Sequence, residues 1–121
     1  MDNRAKNILV VDDDPDILAF MQAMLEDAEY IVATAEKGTY LENLQAGDFP
    51  HVIVLDMLLS GSDGRKLTSQ LKSQQETKHI PIILLSAHPS AEQEARAYGA
   101  DDFLAKPFEM DDFLAMVAKY T

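Results

Sequence analysis

The sequence predicts an α/β fold in which five parallel strands form a doubly wound sheet. Short apolar runs of strand length alternate five times with segments whose apolar residues recur at helical spacing. Two of these runs, "VIVLD" and "IILLS", are continuously apolar up to their last residue and rich in β-branched residues, which is typical of parallel strands covered on both faces. Crossovers between such strands are right-handed, so helices are expected on both sides of the sheet.

The predicted strands are runs of three or four apolar residues. They occupy residues 8–11, 31–33, 52–55, 82–85 and 103–105. The first helix follows at Asp14-Pro15, where an N-cap aspartate precedes a proline at the first helical position. Its apolar residues recur at helical spacing: Ile17, Met21, Met24, Leu25 and Ala28.

Four further helical patterns follow the remaining strands. The second, "GTYLENLQAG", is short and is expected to end at Gly47. The third is "DGRKLTSQLKSQ", and the fourth, "PSAEQEARAYGA", is expected to end at Gly99. The fifth, "EMDDFLAMVAKY", places its apolar residues on one stripe. Those residues are Met110, Phe113, Leu114, Val117 and Ala118.

Length and composition favour a single domain over residues 1–121, with 47% hydrophobic and 26% charged residues. No apolar run approaches the about 20 residues of a membrane helix, and no secretory signal precedes the first strand. The absence of cysteine excludes disulfides and fits a cytoplasmic location. A net charge of −11 disfavours direct nucleic-acid binding and favours a divalent cation or a cationic partner surface.

Polar side chains stand at the carboxyl ends of four of the five predicted strands. Asp12 and Asp13 follow the first strand, Asp56 the third, Ser86 the fourth and Lys106 the fifth. Each alone has an ordinary explanation, such as a solvated turn, a turn start or a surface lysine. Ligand sites of open parallel sheets form beyond these strand ends, so the combination of three acids, a hydroxyl and an ammonium predicts a site.

The charges suggest a Mg²⁺ site and a phosphoryl transfer. Mg²⁺ prefers octahedral oxygen ligation. Asp13 and Asp56 are candidate direct ligands, Asp12 is expected to act mainly through a bound water, and the backbone carbonyl of Leu58 is a candidate neutral ligand. Lys106 adds a further positive charge, so Asp56 is predicted to act as a carboxylate nucleophile that forms an aspartyl-phosphate. Catalysis would then consist mostly of in-line positioning and charge neutralisation.

Four stretches closely resemble the receiver domains of two-component response regulators: "ILVVDDDPDI", "VIVLDMLLSGSDG", "IPIILLSAH" and "GADDFLAKPF". Together they cover residues from about 7 to 120. The resemblance implies a (βα)₅ domain with the flavodoxin-like strand order 2-1-3-4-5. It makes Asp56 the phosphoacceptor, Asp12 with Asp13 the acidic pair for Mg²⁺, and Lys106 the lysine that pairs with the phosphate. The Lys106–Pro107 peptide bond is expected to be cis.

The resemblance also implies a switch. Phosphorylation adds negative charge and three acceptor oxygens, and the Ser86 hydroxyl is expected to turn towards one of them. Phe103 then rotates inward into space behind the fourth strand, although plain core packing is the alternative explanation for this ring. The readout surface, roughly residues 89–120, would bind a downstream protein or output domain.

Two positions depart from the usual receiver pattern. Receivers usually carry a proline four residues after the phosphoacceptor and an apolar residue six after it, where this chain has Ser60 and Ser62. Neither change removes a group that the reaction needs. Slow dephosphorylation is also predicted, because an apolar Leu58 cannot orient an attacking water as an amide or acid could. For His88, two residues beyond Ser86, two alternatives stay open: it orients that water, or it only blocks access to the phosphate.

The leading functional hypothesis is a phosphorelay switch that catalyses only its own phosphotransfer. Its phosphoryl donor would be a phosphohistidine on a sensor histidine kinase or a phosphotransfer protein. A stand-alone regulator and a receiver from a hybrid kinase or multidomain regulator both remain open. No DNA-binding helix pair follows, and no membrane partner is expected.

Two other classes of function fit less well. An aspartyl-phosphate phosphatase of the haloacid-dehalogenase type would carry a second aspartate where this chain has Leu58. A flavin-binding module on the same fold would offer donors to the cofactor phosphate, whereas this chain has aspartates after its first strand.

Overall fold

The computed structural model describes residues 5–121, and within them the five predicted strands all form one parallel sheet. The predicted domain range of 1–121 includes residues 1–4, which lie outside the described residues. The strands are β1 (Asn7–Val11), β2 (Ile31–Ala35), β3 (Val52–Asp56), β4 (Ile82–Ser86) and β5 (Asp102–Ala105). Their spatial order is 2-1-3-4-5, which confirms the predicted fold class.

The helices connect the strands in the expected sequence. They are α1 (Pro15–Asp27), α2 (Thr39–Glu42), α3 (Gly64–Ser73), α4 (Glu92–Ala97) and α5 (Met110–Lys119). Short 3₁₀ turns occupy Ala46–Asp48 and Pro89–Ala91. A small antiparallel hairpin pairs Leu58–Leu59 with Ser62–Asp63 between β3 and α3.

Side chains and glycine set the ends of several helices. Asp14 accepts hydrogen bonds from the backbone N–H groups of Asp16 and Ile17, so it caps α1 as predicted. Asp63 caps α3 in the same way through the N–H of Arg65. Gly99 closes the turn after α4 with a φ of +101°, a left-handed conformation that glycine adopts without steric cost.

Helix α2 is shorter than the sequence pattern predicts. It covers four residues, and the predicted end at Gly47 falls instead in the following 3₁₀ turn. No side chain caps its start, and Asn43 donates its side-chain N–H to the Thr39 carbonyl at its end. A polar side chain that bonds to the backbone competes with further helical turns, so the helix stops there.

The two faces of the sheet carry separate buried clusters, because successive strand residues point to opposite sides. One face packs against α2, α3 and α4, and the other packs against α1 and α5. The first cluster includes Leu9, Leu55, Leu67, Leu84 and Ala95. The second includes Val10, Leu25, Val54, Ile83 and Phe113. Burial on both faces explains why the central strands are continuously apolar.

The predicted stripe on α5 is partly wrong. Phe113 and Val117 are buried and Leu114 is half-buried, but Met110 and Ala118 are exposed. Met110 is the first residue of the helix, where the chain has not yet packed against the sheet. Similarly, Ala28 is exposed because it lies after the last residue of α1. Among residues 5–121, no helix combines the length and apolar character that crossing a membrane requires.

Candidate functional site

Strand register brings the predicted site residues to one edge of the sheet. Val11 pairs with Leu55, so the residues that follow them, Asp12 and Asp56, are neighbours across β1 and β3. Ser86, the last residue of β4, pairs with Ala105, so the next residue, Lys106, lies immediately beyond the end of β4. The Lys106 N–H donates to the Ser86 carbonyl at 2.8 Å, and the Lys106–Pro107 bond is cis as predicted.

Lys106 joins two of the aspartates. Its Nζ lies 2.9 Å from Asp12 Oδ2 and 3.4 Å from Asp56 Oδ2. The side chains of Asp12 and Asp56 are 1% and 12% exposed, so this ion cluster lies largely out of water. Burial acts to lower the pKa of the Lys106 ammonium, but the hydrogen bond that it donates to Asp12 and the charges of both acids outweigh burial and raise that pKa.

Asp56 makes long contacts with the positive charge and the N–H group beside it. Burial first, and the neighbouring charge of Asp12 second, raise the pKa of the Asp56 carboxyl above its ordinary value, although Lys106 acts in the opposite direction. The Leu58 N–H lies 3.4 Å from Asp56 Oδ1, which is a long hydrogen bond. A carboxylate left in this state is stabilised by any further positive charge that reaches it.

Asp13 lies at the more open side of the cluster and is held by the hairpin. Its Oδ2 accepts hydrogen bonds from the N–H of Ser60 at 3.0 Å and from the Ser60 hydroxyl at 2.8 Å. These two bonds lower the pKa of the Asp13 carboxyl. The carboxylate therefore stays ionised in a fixed position beside the other two acids.

The three carboxylates fit the requirements of a hard divalent cation. Asp12, Asp13 and Asp56 each offer one oxygen, and these three oxygens lie within 4.8 Å of one another. Ligands on opposite sides of an octahedral Mg²⁺ are about 4 Å apart, and the ion prefers carboxylate, carbonyl and water oxygens. The donor set thus suits Mg²⁺, and the Leu58 carbonyl as a further ligand stays a prediction.

Residues 8–118 match the family model described as the response regulator receiver domain. The chain belongs to the response regulator receiver domain family. Receiver domains are signalling switches of two-component signal transduction. The resemblance inferred from four sequence stretches is therefore confirmed.

Relatives and solved structures place this receiver domain among regulators and kinases. The DNA-binding dual master transcriptional regulator RpaA of Synechocystis sp. is 35% identical over 112 residues, which cover 91% of this chain and 46% of RpaA. A candidate response regulator from Chloroflexus aurantiacus J-10-fl has a TM-score of 0.91 at 30% identity, with 97% of this chain and 98% of the other covered.

A third similar structure includes a metal ion. The receiver domain of the sensor histidine kinase PA1611 from Pseudomonas aeruginosa PAO1 has a TM-score of 0.85 at 25% identity, with 96% and 97% of the two chains covered. Its crystal structure has a magnesium ion coordinated in the active site cleft. The chain spans between a quarter and a half of the length of the first curated relatives.

The two predicted switch residues of this receiver domain are both buried. Ser86 is 3% exposed, and its Oγ accepts a hydrogen bond from the His88 N–H at 3.0 Å. Phe103 is 8% exposed and belongs to the same buried cluster as Leu84 and Ala95. Burial of the ring agrees with plain core packing, the alternative explanation for Phe103, and its role in a switch stays a prediction.

Two residues near the site have roles that the sequence alone did not reveal. Ser60 was apparent only as a departure from proline, and its contact with Asp13 required the fold. Gly64 lies so close to the end of β3 that an added Cβ would be 2.2 Å from the Asp56 carbonyl oxygen and 2.9 Å from Met57 Cα. A glycine directly after an Asp at the start of a helix was the available signal for that close approach.

Proposed function

We propose that this receiver domain is the phosphoacceptor switch of a two-component phosphorelay, in which Asp56 accepts a phosphoryl group in the presence of Mg²⁺. The observation that carries the proposal is the position of the Asp56 carboxylate. It lies 3.4 Å from the Lys106 ammonium and within a three-acid cluster whose oxygens lie within 4.8 Å of one another. Such a cluster repels itself unless a cation joins it.

The proposed step is an in-line transfer. A carboxylate oxygen of Asp56 attacks the phosphorus of a phosphohistidine and forms the P–O bond of an aspartyl-phosphate. The P–N bond breaks, and its electron pair leaves with the imidazole nitrogen, which takes up a proton from solvent. When bound, Mg²⁺ supplies positive charge that neutralises the phosphoryl oxygens.

The residues around Asp56 have separate tasks in this proposal. Asp13, Asp56 and the Leu58 carbonyl would hold the metal directly, and Asp12 would act mainly through a bound water. Lys106 offsets charge on the phosphoryl group, because its ammonium is tethered beside both buried acids. None of these side chains is expected to turn the intermediate over rapidly.

The signal is proposed to pass to the surface formed by α4, β5 and α5, within residues 89–120. The Ser86 hydroxyl, now accepting from the His88 N–H, would donate to a phosphoryl oxygen, and Phe103 would favour its inward position. A downstream protein or output domain would then bind this surface. The phosphoryl donor would be a sensor histidine kinase or phosphotransfer protein.

The proposal covers residues 1–121 as a single receiver domain in the cytoplasm, without enzymatic turnover of an external substrate. A receiver module of a hybrid histidine kinase is the second candidate. It is favoured by the similarity to the receiver domain of the sensor histidine kinase PA1611. The length of the natural polypeptide would distinguish the two. A kinase domain in the same polypeptide as residues 1–121 would favour the second candidate.

Labelling with a small-molecule phosphodonor such as acetyl phosphate tests the proposal directly. With Mg²⁺, the wild type is expected to gain the mass of one phosphoryl group and Asp56→Asn to gain none. Asp48→Asn, which removes an exposed carboxylate away from the cluster, serves as the matched control and is expected to label like wild type. A label on Asp56→Asn, or none on wild type, would contradict the proposal.

The labelled protein also reports the phosphoryl lifetime. After removal of the donor, the label is expected to persist well beyond seconds, because the apolar Leu58 side chain, 58% exposed, cannot orient an attacking water. Loss within seconds would contradict this expectation. Continuous release of inorganic phosphate in excess of protein would favour the phosphatase alternative.

A further inference from the structure

The hairpin that follows β3 makes a contact that a typical receiver sequence does not permit. Ser60 stands where receivers usually carry proline. Its N–H and its hydroxyl both donate to one oxygen, Oδ2, of Asp13, at 3.0 Å and 2.8 Å. Proline has no N–H and no hydroxyl, so it offers neither donor. The contact joins residues 47 positions apart in the chain.

Two donors on one oxygen restrict how the carboxylate moves. An exposed aspartate side chain rotates freely unless its oxygens are bonded, and Asp13 is only partly buried. With Oδ2 bonded to Ser60, the carboxylate group is held in one orientation, and Oδ1 keeps its capacity to bind a cation. Partners that hold a ligating carboxylate in this way commonly raise the affinity for the metal.

We propose that Ser60 is a positioning residue for Asp13, and that it raises the affinity of the acidic cluster for Mg²⁺. This inference rests on the proposed function, since it assigns the cluster to that metal. It goes beyond it because Ser60 neither ligates the metal nor contacts the phosphoryl group. In this chain, Ser60 thus donates two hydrogen bonds to Asp13 from the position where the usual proline would donate none.

Isothermal titration of the unphosphorylated full chain with MgCl₂ tests this inference. The variants are Ser60→Ala, which removes only the hydroxyl, and Ser60→Thr, which keeps it. Ser60→Pro restores the usual receiver residue and removes both donors. Ser62→Ala is the matched control, because it removes a hydroxyl from the other strand of the same hairpin.

The dissociation constant for Mg²⁺ is expected to rise about tenfold in Ser60→Ala. Ser60→Pro is expected to bind at least as weakly as Ser60→Ala, whereas Ser60→Thr and Ser62→Ala should bind like wild type. In EDTA, Ser60→Ala and Ser62→Ala are expected to have the same melting temperature. A purely structural role of Ser60 would instead lower the melting temperature of Ser60→Ala in the absence of metal.

Two results would overturn the inference while leaving the proposed function intact. With wild type labelled on Asp56, these results are Mg²⁺ binding by Ser60→Ala that is equal to or tighter than that of wild type, and Mg²⁺ binding by Ser60→Thr that is as weak as that of Ser60→Ala. By contrast, a wild type that neither labels nor binds Mg²⁺ at millimolar concentration would overturn the proposed function and this inference together. The labelling experiment does not involve Ser60, so the two failures are distinguishable.

Discussion

Two buried aspartates at opposite ends of the sheet behave in opposite ways. Asp56 lies at the carboxyl end of β3, and Asp102 begins β5 at the other edge. Their side chains are similarly buried, with 12% and 8% exposed. Burial alone would raise the pKa of both carboxyl groups, yet the pKa is raised for Asp56 and lowered for Asp102.

The difference lies in the hydrogen-bond donors. Asp102 accepts from the Phe103 N–H at 2.9 Å, the Tyr120 hydroxyl at 2.9 Å and Lys119 Nζ at 3.0 Å, with Arg96 at 3.4 Å. Burial acts to raise its pKa, but these donors, with Lys119 the largest, outweigh it. Burial first, and the hydrogen bond that Tyr120 donates to Asp102 second, raise the pKa of the Tyr120 hydroxyl to about 12.

Asp56 has fewer and longer contacts in the described part of the chain. They are the Leu58 N–H at 3.4 Å and the Lys106 ammonium at 3.4 Å, and the latter lies closer to Asp12. A buried carboxylate whose oxygens accept several short hydrogen bonds contributes to stability. A buried carboxylate with few such bonds and a raised pKa is typical of sites that bind a cation or react. The number and length of the hydrogen bonds that each aspartate accepts therefore separate Asp56 from Asp102 better than burial does.

Gly64→Ala is expected to have the largest effect, because it would displace the backbone at Asp56. The added Cβ would overlap backbone atoms of Asp56 and Met57, which cannot move aside without displacing β3. We expect a loss of about 3 kcal/mol of unfolding free energy and slower phosphodonor labelling. Urea denaturation and intact-mass labelling measure the two effects.

Gly47→Ala is the matched control for that substitution. An added Cβ at Gly47 meets no atom within 4 Å, so its stability is expected to change by only a few tenths of a kcal/mol. Equal stability of the two variants would show that the close approach of Gly64 to β3 is unimportant.

Asp102→Ala is expected to have an intermediate effect, because it removes the acceptor of the hydrogen bonds at the start of β5. It leaves the buried Phe103 N–H without its acceptor, and we expect a loss of about 2 kcal/mol of unfolding free energy. Lys119 and Arg96 are about half exposed or more and return to water, so they add little. Labelling of Asp56 by the phosphodonor should remain, and its loss would contradict the separation of the two regions.

Asp56→Asn is expected to have the smallest effect on stability. Its effect is expected to depend on pH in a different range from that of Asp102→Ala. In EDTA at pH 7 we expect a gain of about 1 kcal/mol, because the substitution removes a charge that burial and Asp12 disfavour. The raised pKa means that the folded wild type loses stability as the pH rises from 3.8 through the folded value. The gain from Asp56→Asn should therefore appear above pH 3.8 and vanish below it.

Asp102 gives the opposite dependence on pH. Its lowered pKa means that its contribution is complete above 3.8 and is lost as the pH falls through the folded value. The loss in Asp102→Ala should thus shrink only below pH 3.8. Urea denaturation of both variants and wild type from pH 2.5 to 7 in EDTA measures the two windows, and coincident windows of equal sign would contradict the comparison.

Most of the fold was predictable from the sequence, and the errors occurred where local and tertiary preferences compete. The strands were predicted to within one or two residues, because a continuously apolar run in an α/β pattern has few alternatives. Helix α2 was predicted too long because the bond from Asn43 to Thr39 is not a periodicity signal. Met110 belongs to the predicted apolar stripe of α5 but is exposed, because it lies at the end of the helix beyond the packed face.

The candidate site was predictable in its residues but not in its contacts. The strand ends supplied Asp12, Asp13, Asp56, Ser86 and Lys106, and the register places them at one edge. The role of Ser60 was not predictable, because no periodicity links it to an acid 47 residues away. Asp102 drew no attention either, since an acid at the start of a strand is common.

The sequence by itself determined the alternation of strands and helices and which residue types stand at each strand end, because apolar periodicity allows few other assignments. The strand order was implied by the resemblance to receiver domains. Only the tertiary structure decided which buried acid accepts several short hydrogen bonds and which has long contacts. A hydrogen-bond partner is chosen by distance in space, as the pairing of Lys106 with Asp12 across 94 residues shows.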